Sequence, residues 1–370
     1  MPRILIFASI SKAFRNFSYE LLEAMLAAGC EVFISIPDDP VNADFEKIGC
    51  RVIPSPLSRH GMNPIAELRL MAEYRRRLRT LEPDAVLTYT IKPNSYGGLL
   101  CRLLRVPYLV TITGLGTTFF NDSAVNRVIR RLLKTGIRGA RCILFQNEYN
   151  RDLLIRRGFV PGRHRLVSGS GVNLAKHSLL PYPAEDGKVR FLLAARAQKE
   201  KGVAEYIEAA ERIRARHPEC EFHFAGLSEE PEYAKRIRLA HERGTLIDHG
   251  FLPFPEMRKL LTSIQAVVLP SWHEGMSNIL LESAAAGRPL LASDIPGCRE
   301  TLIPDHSGFL FQPRSADSLT DALERFLALP RVQREAMGQS GRAHVEANFD
   351  RQKVVAAYLE ELRSFLPDMH

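Results

Sequence analysis

Pro270-Ser271-Trp272-His273-Glu274-Gly275-Met276-Ser277-Asn278-Ile279-Leu280-Leu281-Glu282, followed by Ala286-Gly287-Arg288-Pro289, is the stretch on which the fold turns. An apolar run, 266–270, leads into it and reads as a strand. A small polar turn, Gly275 to Asn278, then opens an apolar helix over 278–286. Glycine at 275 permits a tight turn and close backbone approach, and Ser277 or Asn278 can cap the helix. Glu274 and Glu282 stand eight residues apart, which on a helix is a rise of about 12 Å. Free N–H groups at the helix start favour anions, and ionised carboxylates only accept hydrogen bonds. Hydroxyl acceptors at two ends and an anion seat between them fit a nucleotide-sugar: Glu282 for a ribose diol, Glu274 for sugar hydroxyls. Two solvated helix-end acids would show the same spacing by chance. The frame of strand, turn, apolar helix, Gly-x-Pro and new strand favours the site.

Working outward, the same strand-then-helix unit repeats along the chain. Strands are expected at 3–8, 30–36, 51–55, 85–90, 108–112, 142–146 and 165–168, with helices at 18–28, 64–81, 94–104, 126–138 and 150–157. After an irregular segment at 177–187 the alternation restarts. Strands are expected at 189–194, 221–225, 245–249, 266–270, 289–293 and 308–311, with helices at 203–216, 231–243, 255–263 and 278–286. Three helices close the chain, near 316–328, 331–347 and 351–364. Such alternation predicts an α/β chain of parallel sheets covered by helices, and 370 residues suffice for two domains. The expected division is 1–175, 176–350 and a C-terminal helix within 351–370. Ligands of doubly wound sheets bind at the carboxyl ends of the strands, which predicts a cleft between the two domains.

Two other strand ends in the second domain carry chemistry. Ala195-Arg196-Ala197-Gln198-Lys199-Glu200-Lys201-Gly202 follows the strand at 189–194. Arg196 and Lys201 can clamp a diphosphate, the first by bidentate hydrogen bonds and the second as a point charge. Leaving-group charge would build there, and fixed cations stabilise it. A basic surface loop is the alternative for this segment taken alone. Gly250-Phe251-Leu252 follows 245–249 and offers backbone groups to a base edge, or simply ends a strand.

In the first domain the loop after 108–112 holds Thr113, Gly114 and Gly116 among several hydroxyls. Backbone N–H groups in such a loop can face a sugar or phosphate. It lacks the third glycine of a dinucleotide fingerprint. Lys92 and Asn94 lie at the preceding strand end, where Lys92 suits an acceptor phosphate or is an ordinary surface lysine.

Composition narrows the partners. Residues 1–175 hold 25 Lys and Arg against 14 Asp and Glu, a net +11, while 176–370 carry −3. The basic half points to an anionic partner: nucleic acid, acidic lipid or a pyrophosphate-bearing substrate. The 126–138 segment mixes five aliphatic residues with Arg127, Arg130, Arg131, Lys134 and Arg138, a pattern suited to an anionic bilayer and also to a core helix with a basic solvent face. Stacking aromatics and known nucleic-acid modules are missing. Six scattered cysteines without Cys-x-x-Cys indicate a reduced, cytoplasmic protein. No run approaches a transmembrane length, and the start is too short in apolar residues for a signal peptide. His-x-x-x-His, Asp-x-Asp, Gly-x-Ser-x-Gly and the P-loop are all absent, so no metal or other cofactor is expected.

The framed acid pair, Arg196 with Lys201, and Gly297-Cys298-Arg299-Glu300 after Ser293-Asp294 resemble the retaining glycosyltransferases of GT-B fold, the large family of sucrose synthase and bacterial mannosyl- and galactosyltransferases. Tyr89 to Asn94, Thr113 to Gly116, Phe145-Gln146-Asn147 and Gly169-Ser170-Gly171-Val172-Asn173 are similar to the branch that builds lipid-linked oligosaccharides for bacterial capsule, O-antigen, exopolysaccharide or N-glycans. The resemblance implies two Rossmann-like domains and a final helix that crosses back to the first. It implies that Glu274 meets donor-sugar hydroxyls, that Gly275, Met276, Ser277 and Asn278 present N–H groups to sugar and diphosphate, and that Glu282 binds ribose. Arg196 and Lys201 would hold the diphosphate, with no metal.

The implied reaction moves a hexose or N-acetylhexosamine from a UDP-sugar to an undecaprenyl-diphosphate-linked acceptor, with retention, on the cytoplasmic face of the inner membrane. Two departures stand out: Thr113-Gly114 occupies the loop where many members carry a catalytic histidine, and Ser9-Ile10-Ser11-Lys12-Ala13-Phe14 replaces a glycine pair after the first strand. A nucleotide-sugar epimerase or hydrolase on the same fold, and a basic nucleic-acid binder, are the rival readings.

Overall fold

The computed structural model describes residues 1–57, 63–115, 119, 122–228 and 230–369. It divides into two compact units, Met1–Gly171 with Arg351–His370, and Val172–Asp350. Each is built on an all-parallel sheet. Strands buried on both faces need near-continuous apolar sequence, and β1 (Arg3–Phe7, RILIF), β4 (Ala85–Tyr89, AVLTY) and β11 (Ala266–Leu269, AVVL) supply it.

The first sheet runs β3-β2-β1-β4-β5-β6-β7, with β2 at Glu31–Ile36, β3 at Arg51–Pro54, β5 at Tyr108–Ile112, β6 at Cys142–Phe145 and β7 at His164–Leu166. The second runs β10-β9-β8-β11-β12-β13, with β8 at Val189–Ala194, β9 at Cys220–Ala225, β10 at Ile247–Asp248, β12 at Leu290–Ser293 and β13 at Gly308–Phe311. Both follow the Rossmann order. In each the chain first builds away from the opening strand, then returns to its other side. The switch points lie between β1 and β4 and between β8 and β11, which are hydrogen-bonded neighbours.

One face of the first sheet packs α1 (Ser11–Ala27), α2 (Asn42–Lys47) and the last helix, α13 (Arg351–Arg363). The other packs α3 (Pro64–Leu81), α4 (Gly98–Leu104), α5 (Ala124–Ile137) and α6 (Glu148–Arg156). The C-terminal helix therefore does return to the first unit. Arg351 reaches Glu20 (2.9 Å) and the carbonyls of Ser170 and Gly171, and Tyr358 Oη lies 2.7 Å from Thr111 Oγ1. Around the second sheet lie α7 (Val203–Arg216), α8 (Pro231–Glu242), α9 (Phe254–Leu261), α10 (Asn278–Ala285), α11 (Ala316–Leu327) and α12 (Arg331–Asn348). All six cysteines are buried and free. Among the described residues no helix is long and apolar enough to cross a membrane.

Four elements differ from the sequence expectation, one of them α2, which has no counterpart there. Helix α1 starts at Ser11, seven residues early, because Ser11 and Phe14 are buried and Ser11 Oγ donates to Pro37 O (3.0 Å). No capping side chain marks that start, since the cap position is Ile10. The helix expected at 94–104 opens with a π-helical turn, Pro93–Gly97. Strand β10 keeps only two residues, both exposed on the sheet edge.

Candidate functional site

The four candidate loops of the second unit all leave carboxyl ends of its strands. Arg196 and Lys201 follow β8, Glu274 follows β11, Gly250 follows β10, and Gly297 to Glu300 follow β12. Strands β8 and β11 flank the switch point, so the two richest motifs meet where a doubly wound sheet opens to a ligand.

The β8 and β11 loops are sewn together. The Trp272 backbone N–H donates to Glu200 O (2.9 Å), and its indole Nε1–H donates to Glu205 Oε1 (2.8 Å). Lys201 Nζ donates to Glu274 Oε1 at 2.5 Å, with the side chains only 20% and 12% exposed. Lys199 and Arg314 lie over the Trp272 ring at 5.4 and 4.5 Å from its centroid. Cation–π contacts of this kind hold an aromatic at a partly wet surface. Trp272, Glu205 and Arg314 were invisible as site residues in the sequence. The one signal was that the chain's single tryptophan stands two residues before Glu274.

Glu274 is not on the helix. Helix α10 begins at Asn278, and Ser277 at its cap position is extended (φ −80°, ψ 100°) with no side-chain cap bond. The separation of Glu274 from Glu282 is therefore one extended turn plus about one helical turn, not a helical rise of eight. Ser277 N–H instead donates to Gly297 O (2.8 Å), while Gly297 N–H goes to Glu300 Oε2 (2.6 Å). Met276 and Ser277 are buried, and Asn278 and Gly275 are half-buried. Glu282 lies one turn into α10, its Oε1 3.9 Å from His177 Nε2. Arg196 is half-buried beside the loop that carries Lys201. Two cations and a helix start thus accompany two carboxylates at one edge of one sheet, an arrangement that can seat a diphosphate and accept hydroxyl protons in hydrogen bonds. Among the described residues no three His, Cys, Asp or Glu side chains converge as a metal would require.

Gly250, Phe251 and Leu252 project from β10. Gly250 is left-handed (φ +61°), its N–H bonds Asp248 Oδ1 (2.9 Å), its carbonyl accepts from Gly226 N–H (2.8 Å), and Phe251 is exposed. Just before it, the His223 and His249 rings stack, Nδ1 of the first 2.9 Å from Nε2 of the second. Burial, and then the His249 charge, push His223 down to about 4, and burial lowers His249 as well. Above pH 6.5 both are neutral in the folded and unfolded chain. Between 6.5 and about 4 the unfolded chain takes up a proton that folded His223 refuses. Stability of this domain should therefore fall as pH falls through that window, by up to about 3 kcal/mol from His223. His223→Gln should flatten the pH dependence of urea midpoints; an unchanged slope would exclude the pair as its source.

In the first unit Thr113 and Gly114 follow β5 and are half-buried, and Gly116 lies outside the described residues. Lys92 is paired with Glu67 (2.6 Å). Asn94 is buried in the π turn and donates to Thr111 O (2.9 Å). One feature here escaped the sequence. Thr90, at the end of β4, is left-handed (φ +71°), and its Oγ1 lies 2.7 Å from Ser9 Oγ at the end of β1. A β-branched residue in that conformation is strained, and strain of this kind collects at functional sites. Both residues flank the first switch point.

Two family models cover the chain in succession. Residues 15–169 match the glycosyl transferase 4-like domain, and residues 181–344 match glycosyl transferases group 1. N,N'-diacetylbacillosaminyl-diphospho-undecaprenol alpha-1,3-N-acetylgalactosaminyltransferase of Campylobacter jejuni is 25% identical over 328 residues, 84% of this chain and 86% of that one. Alpha-D-kanosaminyltransferase of Streptomyces kanamyceticus is 27% identical over 261 residues, 66% of this chain and 67% of its own. Among solved structures, Anabaena Alr3699/HepE in complex with UDP and glucose superposes with a TM-score of 0.80 at 16% identity, covering 98% of this chain and 100% of that one. Sucrose-phosphate synthase of Thermosynechococcus elongatus gives 0.78 at 19% identity, covering 99% and 100%. With two matching family models end to end and a shared fold over nearly its whole length, the chain belongs to the glycosyltransferases of GT-B fold.

Proposed function

We propose that this glycosyltransferase moves a hexose or N-acetylhexosamine from a UDP-sugar to an undecaprenyl-diphosphate-linked acceptor, retaining the anomeric configuration and using no metal. The observation that carries the reading is the cluster of Arg196, Lys201, Glu274 and Glu282 at the switch point of the second sheet. Glu282 takes the ribose, Glu274 the sugar hydroxyls, Gly275 to Asn278 the sugar and diphosphate, and Gly250 to Leu252 the base. Arg196 and Lys201 neutralise the leaving diphosphate. The bond from C1 to the phosphate oxygen breaks as the acceptor oxygen bonds C1 on the same face. The acceptor proton passes to a phosphate oxygen, so a histidine in place of Thr113 is not required.

The lipid-linked acceptor is supported by the Campylobacter jejuni relative, whose name specifies an undecaprenol-diphosphate substrate. UDP is supported by the fold shared with a UDP complex. A peripheral position on the cytoplasmic side of the inner membrane is supported by the +11 charge of residues 1–175 and by Ile65, Leu68, Leu103, Val125 and Val128, all exposed on the α3–α5 layer.

Thermal unfolding with a panel of UDP- and GDP-sugars tests the donor. One UDP-sugar at 100 times its Kd should add about 2.7 kcal/mol, undiminished by EDTA. Loss of the shift with EDTA would contradict the metal-free reading, and a larger shift with a GDP-sugar would contradict UDP. Product formed from donor without acceptor would favour the epimerase or hydrolase.

A further inference from the structure

Four cations in the first unit face a groove remote from this chemistry. Arg102 in the last turn of α4, Arg131 and Lys134 on α5 and Arg138 just beyond it line an open groove of about 540 Å³, walled by Phe159 and Pro161 after α6. Helices α4, α5 and α6 each run from the carboxyl end of one strand to the amino end of the next. Their last turns therefore lie at the amino edge of the sheet, opposite the edge that carries Lys92, Thr113 and Thr90.

Cations at helix C-termini can simply complement the helix dipole. Here the end of α5 is served otherwise: Tyr108 Oη–H donates to Gly136 O (2.6 Å) and accepts from Gly139 N–H (3.0 Å). Further back on the same helix, Arg127 and Arg130 both pair with Asp122. None of the four groove cations has a carboxylate partner among the described residues. Their convergence without a counter-charge calls for an anion, and guanidinium groups beside an ammonium match phosphate oxygens.

The surroundings choose the source. Exposed Leu103 adjoins Arg102, and exposed Val128 stands one turn before Arg131 on the same side of α5. Apolar side chains beside a cationic groove suit an interface with acyl chains, not a dissolved anion. We propose that this groove binds the phosphate headgroup of an anionic bilayer lipid, as a site separate from catalysis. The proposal rests on the membrane part of the reading above and sharpens it from a diffuse basic face to one pocket.

The test is sedimentation of the full chain with phosphatidylcholine vesicles, with and without phosphatidylglycerol. Each cation near such a surface is worth about fivefold in affinity, so R131Q/K134Q/R138Q should bind phosphatidylglycerol vesicles about 100-fold more weakly. The equal charge change R69Q/R75Q/R79Q on exposed α3 should cost far less. Equal losses in the two triple variants would overturn the groove in favour of a diffuse basic face. Wild-type vesicle binding by the groove variant, together with pyrophosphate stabilising wild type but not that variant, would assign the groove to a free anion and overturn the lipid. Donor-induced thermal shifts stay unchanged in every variant if the second domain is intact, which separates failure of this proposal from failure of the donor site.

Discussion

Lys201→Ala should lower kcat/KM for transfer by a factor of about 100 to 1,000, the range expected for one group that stabilises transition-state charge. Lys201 carries two burdens. It is a fixed cation at the end of β8, where the proposed reaction would gather charge on a departing diphosphate. It also balances Glu274 at 2.5 Å, in a place where both side chains are mostly covered. Without it Glu274 loses its ammonium partner, and in the proposed reaction its carboxylate would oppose the diphosphate. Breaking a covered pair from one side costs about 3 kcal/mol or more when burial is complete, and somewhat less here. Lys201→Arg keeps the charge but exchanges a compact ammonium for a planar fork, and should recover part of the rate.

The informative comparison is a double-mutant cycle with Glu274→Gln. Neighbours that share one interaction give non-additive losses, so the double variant should lose less than the sum of the singles. Steady-state transfer and urea unfolding read the two burdens separately. Near-wild-type turnover in Lys201→Ala would remove it from the site.

The candidate residues of the second unit were legible as strand-end residues because that information is local. The glutamates, the small turn and the two cations are adjacent to strands whose apolar runs are unmistakable, and a strand end fixes where a following side chain emerges. The Lys201–Glu274 pair was not legible, since it joins residues 73 apart and depends on β8 and β11 becoming neighbours. The Trp272–Glu205 bond has the same character.

The first unit shows the limit more sharply. Ser9 and Thr90 are ordinary hydroxyl residues 81 apart, and what marks them is a backbone angle and a crossover. The stretch at Ser11 to Phe14 read as loop because its first helical turn has polar residues and no cap, although the fold buries Ser11 and Phe14. The basic excess was plain in composition. Its division into cations paired with Asp122 and cations facing a groove appears only when α4, α5 and α6 stand side by side.

Gly202→Ala should disable the proposed donor site through the backbone alone. Gly202 is left-handed (φ +70°), which costs an L-residue about 1–2 kcal/mol. Beyond that, a Cβ there would lie 2.1 Å from Pro270 O and 2.7 Å from Pro270 C, at the end of β11. Neither loop can yield freely, because Trp272 N–H is bonded to Glu200 O and Lys201 to Glu274. The overlap must therefore push the β8 loop off the β11 loop and pull the ion pair apart. Gly244 is the control: it has the same φ of +70°, and a Cβ there meets nothing within 4 Å. Gly244→Ala should cost only the conformational term, about 1–2 kcal/mol, and should keep the full donor-induced thermal shift. Gly202→Ala should cost more than that and lose most of the shift. Gly297→Ala should follow Gly202→Ala, since its Cβ would meet Gly275 O at 2.6 Å. Equal stability losses and equal donor shifts for the alanine variants at 202 and 244 would show that close approach of the two loops is not what builds the site.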